Sequence, residues 1–199
     1  DDEAGYSFLA AQRGLPLNGE ELLVIDIGGG STEFIRGNDS GVIQSMSLNL
    51  GSVRLTERFF RSDPVGAGEF GDLTSAIDGE LAALGKQWRD LAVASTWVGT
   101  AGTFTTMAAV EKKLTRYSHG MVHGSHLTQA EVQRQVQLYR SKTLAERKTI
   151  PGLEPKRADV ILAGACLIER MMTLFGARQL IVSDQGVRYG LLYERLDRR

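Results

Sequence analysis

Residues 26–33 read Asp-Ile-Gly-Gly-Gly-Ser-Thr-Glu, placing three consecutive glycines between two carboxylates. Without Cβ atoms, Gly28, Gly29 and Gly30 can reach positive φ and let the backbone approach a ligand closely. Successive N–H groups in such a turn converge on an anion, and the Ser31 and Thr32 hydroxyls add donors. Asp26 can hold a hydrated Mg2+ directly or through water, and Glu33 faces it across the turn. The chemistry suggested is the cradling of phosphate oxygens beside a metal. The same residues also suit a tight hairpin whose Asp caps its own turn. A second glycine turn, Gly99-Thr100-Ala101-Gly102-Thr103, joins an apolar strand to a helix. A new helix start offers free N–H groups and a positive dipole end to phosphate, although Thr103 could simply be its N-cap. A third turn, Ser183-Asp184-Gln185-Gly186, precedes Arg188, which suits either a phosphate or solvent.

The elements that must position these turns follow from periodicity. Residues 1–13 read as an amphipathic helix. Leu22–Ile25 is a short apolar strand ending at Asp26, and residues 32–36 and 42–50 supply two more strands in a meander. Residues 52–60 and 68–94 have helical spacing, the latter with Leu73, Ile77, Leu81, Leu84, Trp88 and Leu91 on one stripe. Thr96–Val98 is a strand and 104–114 a helix. Residues 117–126 are a polar loop holding His119, His123 and His126, whose spacing does not match a helix-borne metal pair. A capping box at Thr128 and Glu131 opens the next helix. Residues 157–175 form a nearly all-apolar buried helix. Leu180–Val182 is the last strand, and a helix to about Leu196 follows. All three glycine turns fall at strand ends, where open α/β sheets bind ligands.

Composition narrows the classes. With 23 Lys+Arg against 24 Asp+Glu, the net charge of −1 argues against a generally basic nucleic-acid binder. The single cysteine, Cys166, excludes an intramolecular disulfide, and on the apolar helix it reads as a small core residue. Val160–Ile168, the longest apolar run, is too short to span a bilayer. Arg54 could face a polyanion or solvent. Glu3, on its own, reads as a helix-dipole partner.

LVIDIGGGSTEFI, with LNLGSVRLTERF, VGTAGTFTTMAA, HGSHLT, RADVILAGA and SDQGVRYGLLYE in that order, resembles the exopolyphosphatase / guanosine pentaphosphate phosphohydrolase (Ppx/GppA) family of the actin-like superfamily. The resemblance implies an α/β, ribonuclease H-like fold: a mixed five-stranded sheet, three antiparallel strands and then two more, with helices packed around it. It implies that residues 1–199 are a single domain, the second half of a two-half core. The first half, with its own phosphate loop, is expected to be missing here, in keeping with a chain that opens at Asp1 rather than Met.

The resemblance also assigns roles. Asp2-Glu3-Ala4 matches the family's Glu-Glu-Ala segment, which makes Glu3 the general base. Asp26 and Glu33 place Mg2+ (or Mn2+) and the water. Gly28, Gly29, Gly30, Ser31 and Thr32 bind phosphate, and Gly99, Thr100, Gly102 and Thr103 occupy the place of the superfamily's adenosine loop. The implied activity is phosphoanhydride hydrolysis, preferably release of terminal phosphate from inorganic polyphosphate. The alternatives are the 5′-phosphate of guanosine pentaphosphate as substrate, a non-catalytic phosphate or nucleotide sensor, and an actin-like ATPase or kinase. A cytoplasmic location, a homodimer, and no membrane or nucleic-acid partner complete the expectation.

Overall fold

A computed structural model describes residues 2–17, 19–84, 88, 90 and 95–197. The strands are β1 (Leu22–Ile27), β2 (Thr32–Asn38), β3 (Gly41–Leu48), β4 (Thr96–Thr100), β5 (His126–Thr128) and β6 (Gln179–Val182). The helices of more than one turn are α1 (Asp2–Gly14), α2 (Ser52–Phe59), α3 (Ala67–Ala83), α4 (Gly102–Glu111), α6 (Gln129–Arg140), α8 (Ile161–Phe175) and α9 (Val187–Asp197). The short helices α5 (His119–Val122) and α7 (Leu144–Arg147) lie between them. The stripe residue Leu91 lies outside the described residues.

The strands form one mixed sheet of order β3-β2-β1-β4-β6-β5. β1 pairs antiparallel with β2 and parallel with β4, and β4 runs parallel to β6. The expected five strands are therefore six among the described residues. The extra one, β5, pairs antiparallel with β6 through His126–Ile181, Leu127–Leu180 and Thr128–Gln179. With three residues, of which only Leu127 is buried, it carries no alternation that a sequence pattern could reveal.

Strand parity sorts the core. Leu23, Ile25 and Ile27 face the larger cluster, which includes residues of α3, α4, α6 and α8. Leu22 and Val24 face the other side, where they pack with Ile35, Val98 and Phe8, Ala11 and Leu15 from α1 and its end. Both faces of β1 are covered, which explains its unbroken apolar run. Helix α1 also crosses α9 closely, since a Cβ on Gly190 would stand 1.9 Å from the Tyr6 carbonyl oxygen.

Candidate active site

The same parity brings the acidic residues together. Asp26 follows Leu22 and Val24 onto the α1 side of β1. Its cross-strand partner is Glu33, which shares the face of Ile35, and its parallel partner is Thr100, which shares the face of Val98. In α1, Glu3 and Ser7 are one turn apart and project alike. The Ser7 hydroxyl donates to Asp26 Oδ2 at 3.1 Å, joining helix to strand end. Burial pushes the Asp26 pKa above its usual value. The Ser7 hydrogen bond pulls it back, and the charges of Glu33 and then Glu3 raise it again. Glu33 Oε1 accepts from the Ser31 hydroxyl at 2.6 Å and the Ser47 hydroxyl at 2.9 Å.

The glycine turn works differently from expectation. None of Gly28, Gly29 and Gly30 lies at positive φ. At Gly28 and Gly29 the missing Cβ leaves space: one on Gly28 would meet Ser31 O at 3.3 Å and one on Gly29 would meet Val53 Cγ2 at 3.2 Å. The turn is tied down through its carbonyls. Gly28 O accepts from Ser52 N at 3.0 Å, and Gly29 O accepts from Val53 N and Arg54 N at 3.0 Å each. The amides of Gly29, Gly30 and Ser31 find no acceptor among the described residues. The α2 start thus fixes one side of the loop and leaves its donors on the other. Thr32 is fully buried and its hydroxyl donates to the Leu50 carbonyl, so it braces the loop from inside.

Gly51 is the glycine this arrangement cannot replace. A Cβ there would lie 2.3 Å from Gly29 O and 2.4 Å from Gly30 C. Gly51→Ala is expected to cost about 1–3 kcal/mol through overpacking. In a thermal melt this is a Tm loss of about 2–4 °C per kcal/mol. Phosphate affinity, measured by titration, falls with it because the Gly29–Ser31 amides move.

At the second turn the N-cap of α4 is Ala101 rather than Thr103. Ala101 has φ 71° and ψ −177°, a region almost confined to glycine and costing other residues about 1–3 kcal/mol. Ala101→Gly is therefore expected to raise Tm, and an unchanged or lowered Tm would show that the strain is absent. Gly99 and Thr103 face inward. A Cβ on Gly99 would be 2.2 Å from the Phe104 ring, and Thr103 is buried beside Gly164. Thr100, Ala101, Gly102 and Thr105 instead line a cleft of about 430 Å³ together with Asp26, Arg157, Asp184 and Arg188. Arg157 lies directly over Gly102, where a Cβ would come 2.1 Å from its guanidinium carbon.

The cleft explains several residues that the sequence left open. Arg188 lines it, and the Arg54 guanidinium would lie 3.8 Å from a Cβ on Gly30, beside the first turn. The three histidines do not converge. His119 Nδ1 meets Asp184 Oδ2 at 2.8 Å, His123 Nε2 meets Gly14 O at 2.8 Å, and His126 sits in β5. His123 Nδ1 accepts from Asp184 N–H at 3.2 Å, so Nε2 carries the proton. No group of three His, Cys, Asp or Glu able to hold a metal occurs among the described residues. Cys166 is fully buried and its thiol is pushed up to about 12, mainly by burial, which rules it out as a nucleophile. Arg157, like Thr105 and Tyr189, is a cleft residue that spacing alone did not single out; all three sit in stretches that carry the family resemblance.

The Ppx/GppA phosphatase family signature matches residues 1–199. The chain belongs to that family. Exopolyphosphatase 2 of Mycobacterium tuberculosis is 34% identical over 194 residues, 96% of this chain and 60% of the relative. A bifunctional 3-dehydroquinate synthase/phosphatase of Fusobacterium nucleatum is 34% identical over 181 residues, 90% of this chain and 27% of the relative. The crystal structure of the Aquifex aeolicus Ppx/GppA phosphatase superposes with a TM-score of 0.89 at 35% identity, covering 98% of this chain and 63% of that one. The chain thus spans about 60% of the exopolyphosphatase it matches. The Ppx/GppA fold carries the mixed sheet described above, and no helix among the described residues is long and apolar enough to cross a membrane.

Proposed function

We propose that this Ppx/GppA chain contributes the water-activating and phosphate-holding side of an exopolyphosphatase. The observation that carries the reading is the placement of Asp26 and Glu33 as cross-strand partners, beside three acceptor-free amides and within the field of Glu3. The terminal phosphoryl group lies against the Gly29, Gly30 and Ser31 amides. Arg157 and Arg188 receive its negative charge from the cleft side. Glu3 orients a water and takes its proton as the oxygen bonds to phosphorus. The bridging P–O bond breaks in line, and its electrons leave with the shortened chain. Catalysis is then mainly positioning and electrostatics.

The residues fit a divalent cation. Burial and two neighbouring carboxylates leave Asp26 short of positive charge. A site with few protein carboxylates suits Mg2+, which keeps waters and takes phosphate oxygens as ligands. Asp26, with Glu33 behind it, would hold the ion, which when bound screens the charge on the phosphoryl oxygens. A second lobe closing the cleft, and a homodimer, belong to the same reading.

The names of the relatives favour polyphosphate over guanosine pentaphosphate. The test is side-by-side turnover of both by the complete protein, with phosphate release measured. Release from polyphosphate at the higher kcat/KM is the expected result. Release from guanosine pentaphosphate alone moves the substrate, and binding without release from either makes the protein a sensor.

A further inference from the structure

A second pocket, of about 500 Å³, lies at the C-terminal end of α4. Its volume falls within the range of small-molecule sites. Ala109, Leu114, Ile150 and Leu153 supply apolar wall, and Ile150 and Leu153 are buried. The wall is braced by backbone. Gly152 has φ 91°, and a Cβ there would lie 2.2 Å from Ala109 O. Leu114 N donates to Ala109 O at 3.0 Å. Thr115, Tyr117 and Glu154 complete the lining, Glu154 being its one charged residue among the described residues.

A carboxylate and an aromatic face each attract a cation, Glu154 in competition with Arg157, and the apolar wall asks for a hydrocarbon body. We propose that this pocket binds a small organic ammonium compound, with its body against Leu114, Ile150 and Leu153 and its charged head between Glu154 and the Tyr117 ring. The same two residues connect it to the cleft. The Tyr117 hydroxyl lies beside Asp184 and Thr105, and Glu154 Oε2 pairs with Arg157 Nε at 3.5 Å. Arg157 already lines the phosphate cleft; an ammonium head that takes over Glu154 leaves its guanidinium unshared for phosphate, so the pocket tunes substrate affinity. That coupling, unlike the binding, rests on the phosphatase reading.

Phenethylamine is a suitable probe, titrated into the complete protein while the Ile150 and Leu153 methyl resonances are followed by NMR. The methyls are expected to shift and saturate with a Kd of about 1 mM or below. The neutral 2-phenylethanol should bind about fivefold more weakly, the scale of one exposed charge pair. Glu154→Gln should erase that difference. Unshifted methyls, equal binding of amine and alcohol, or a preference that survives Glu154→Gln overturns the site. In turnover assays at saturating amine, KM for polyphosphate should fall about twofold. An unchanged KM overturns the coupling. Saturable amine binding by a protein that hydrolyses neither phosphate substrate overturns the phosphatase reading and leaves the pocket standing.

Discussion

Glu3→Gln in the complete protein is expected to lower kcat by about 10²–10⁴-fold, the usual contribution of a positioned general base, with little change in substrate affinity. Glutamine keeps the shape and can still orient water through its carbonyl, but it takes no proton. Helix α1 has no need of the charge for its packing, because Phe8, Ala11 and Leu15 supply its buried contacts. Circular dichroism and Tm should therefore match the parent protein. Phosphate release and a separate polyphosphate-binding measurement read out the two halves of the claim. Unchanged turnover removes Glu3 from the reaction. A parallel loss of binding and turnover makes it a binding residue instead.

Asp26→Asn should separate stability from activity. Burial holds the Asp26 pKa above its unfolded value. The stability tied to its neutral form is fully present below the unfolded pKa and is lost as pH rises through the raised folded one. Above that folded pKa the protein carries the penalty of a buried carboxylate. Asparagine removes it and keeps an oxygen to accept from Ser7. The variant should melt higher at pH 7, by about 2–4 °C for each kcal/mol relieved, and its Tm should change less with pH on the acidic side. On the proposed role of Asp26 as metal anchor, turnover should fall about a hundredfold or more, several kcal/mol of lost charge stabilisation. A lower Tm at pH 7 would show that the carboxylate is compensated in the fold. Retained turnover would remove Asp26 from the proposed metal site.

Some of this site is readable from order along the chain. The alternation through Leu22, Val24 and Asp26 sets which face the carboxylate takes, and the hairpin register then brings Glu33 opposite. The spacing of Glu3 and Ser7 similarly places both on one side of α1. Other parts arise only from packing. The glycines of the first turn look like residues chosen for handedness, yet at Gly29 the constraint is the Val53 side chain on α2, and the tightest approach is that of Gly51 to the Gly29 and Gly30 backbone. Nothing local marks Ala101 as the residue with left-handed φ when glycines flank it. Arg157 reaches Gly102 because a short 3-10 turn, Pro155–Arg157, folds back across the α4 start. That contact spans more than fifty residues and has no periodic signature. The Glu154 and Tyr117 pocket is of the same kind, assembled from two loops that are unremarkable alone.

The contact between Tyr6 and Gly190 carries a consequence for how the protein matures in the cell. Helix α1, with Glu3, is synthesised well before α9, the helix that seats it. Closure over so long a sequence separation is entropically costly and slow. A nascent chain therefore completes much of its sheet while the acidic end of α1 is still unanchored. Hydrolytic competence should appear only after α9 docks, so a ribosome stalled before Gly190 emerges would display a folded but silent domain.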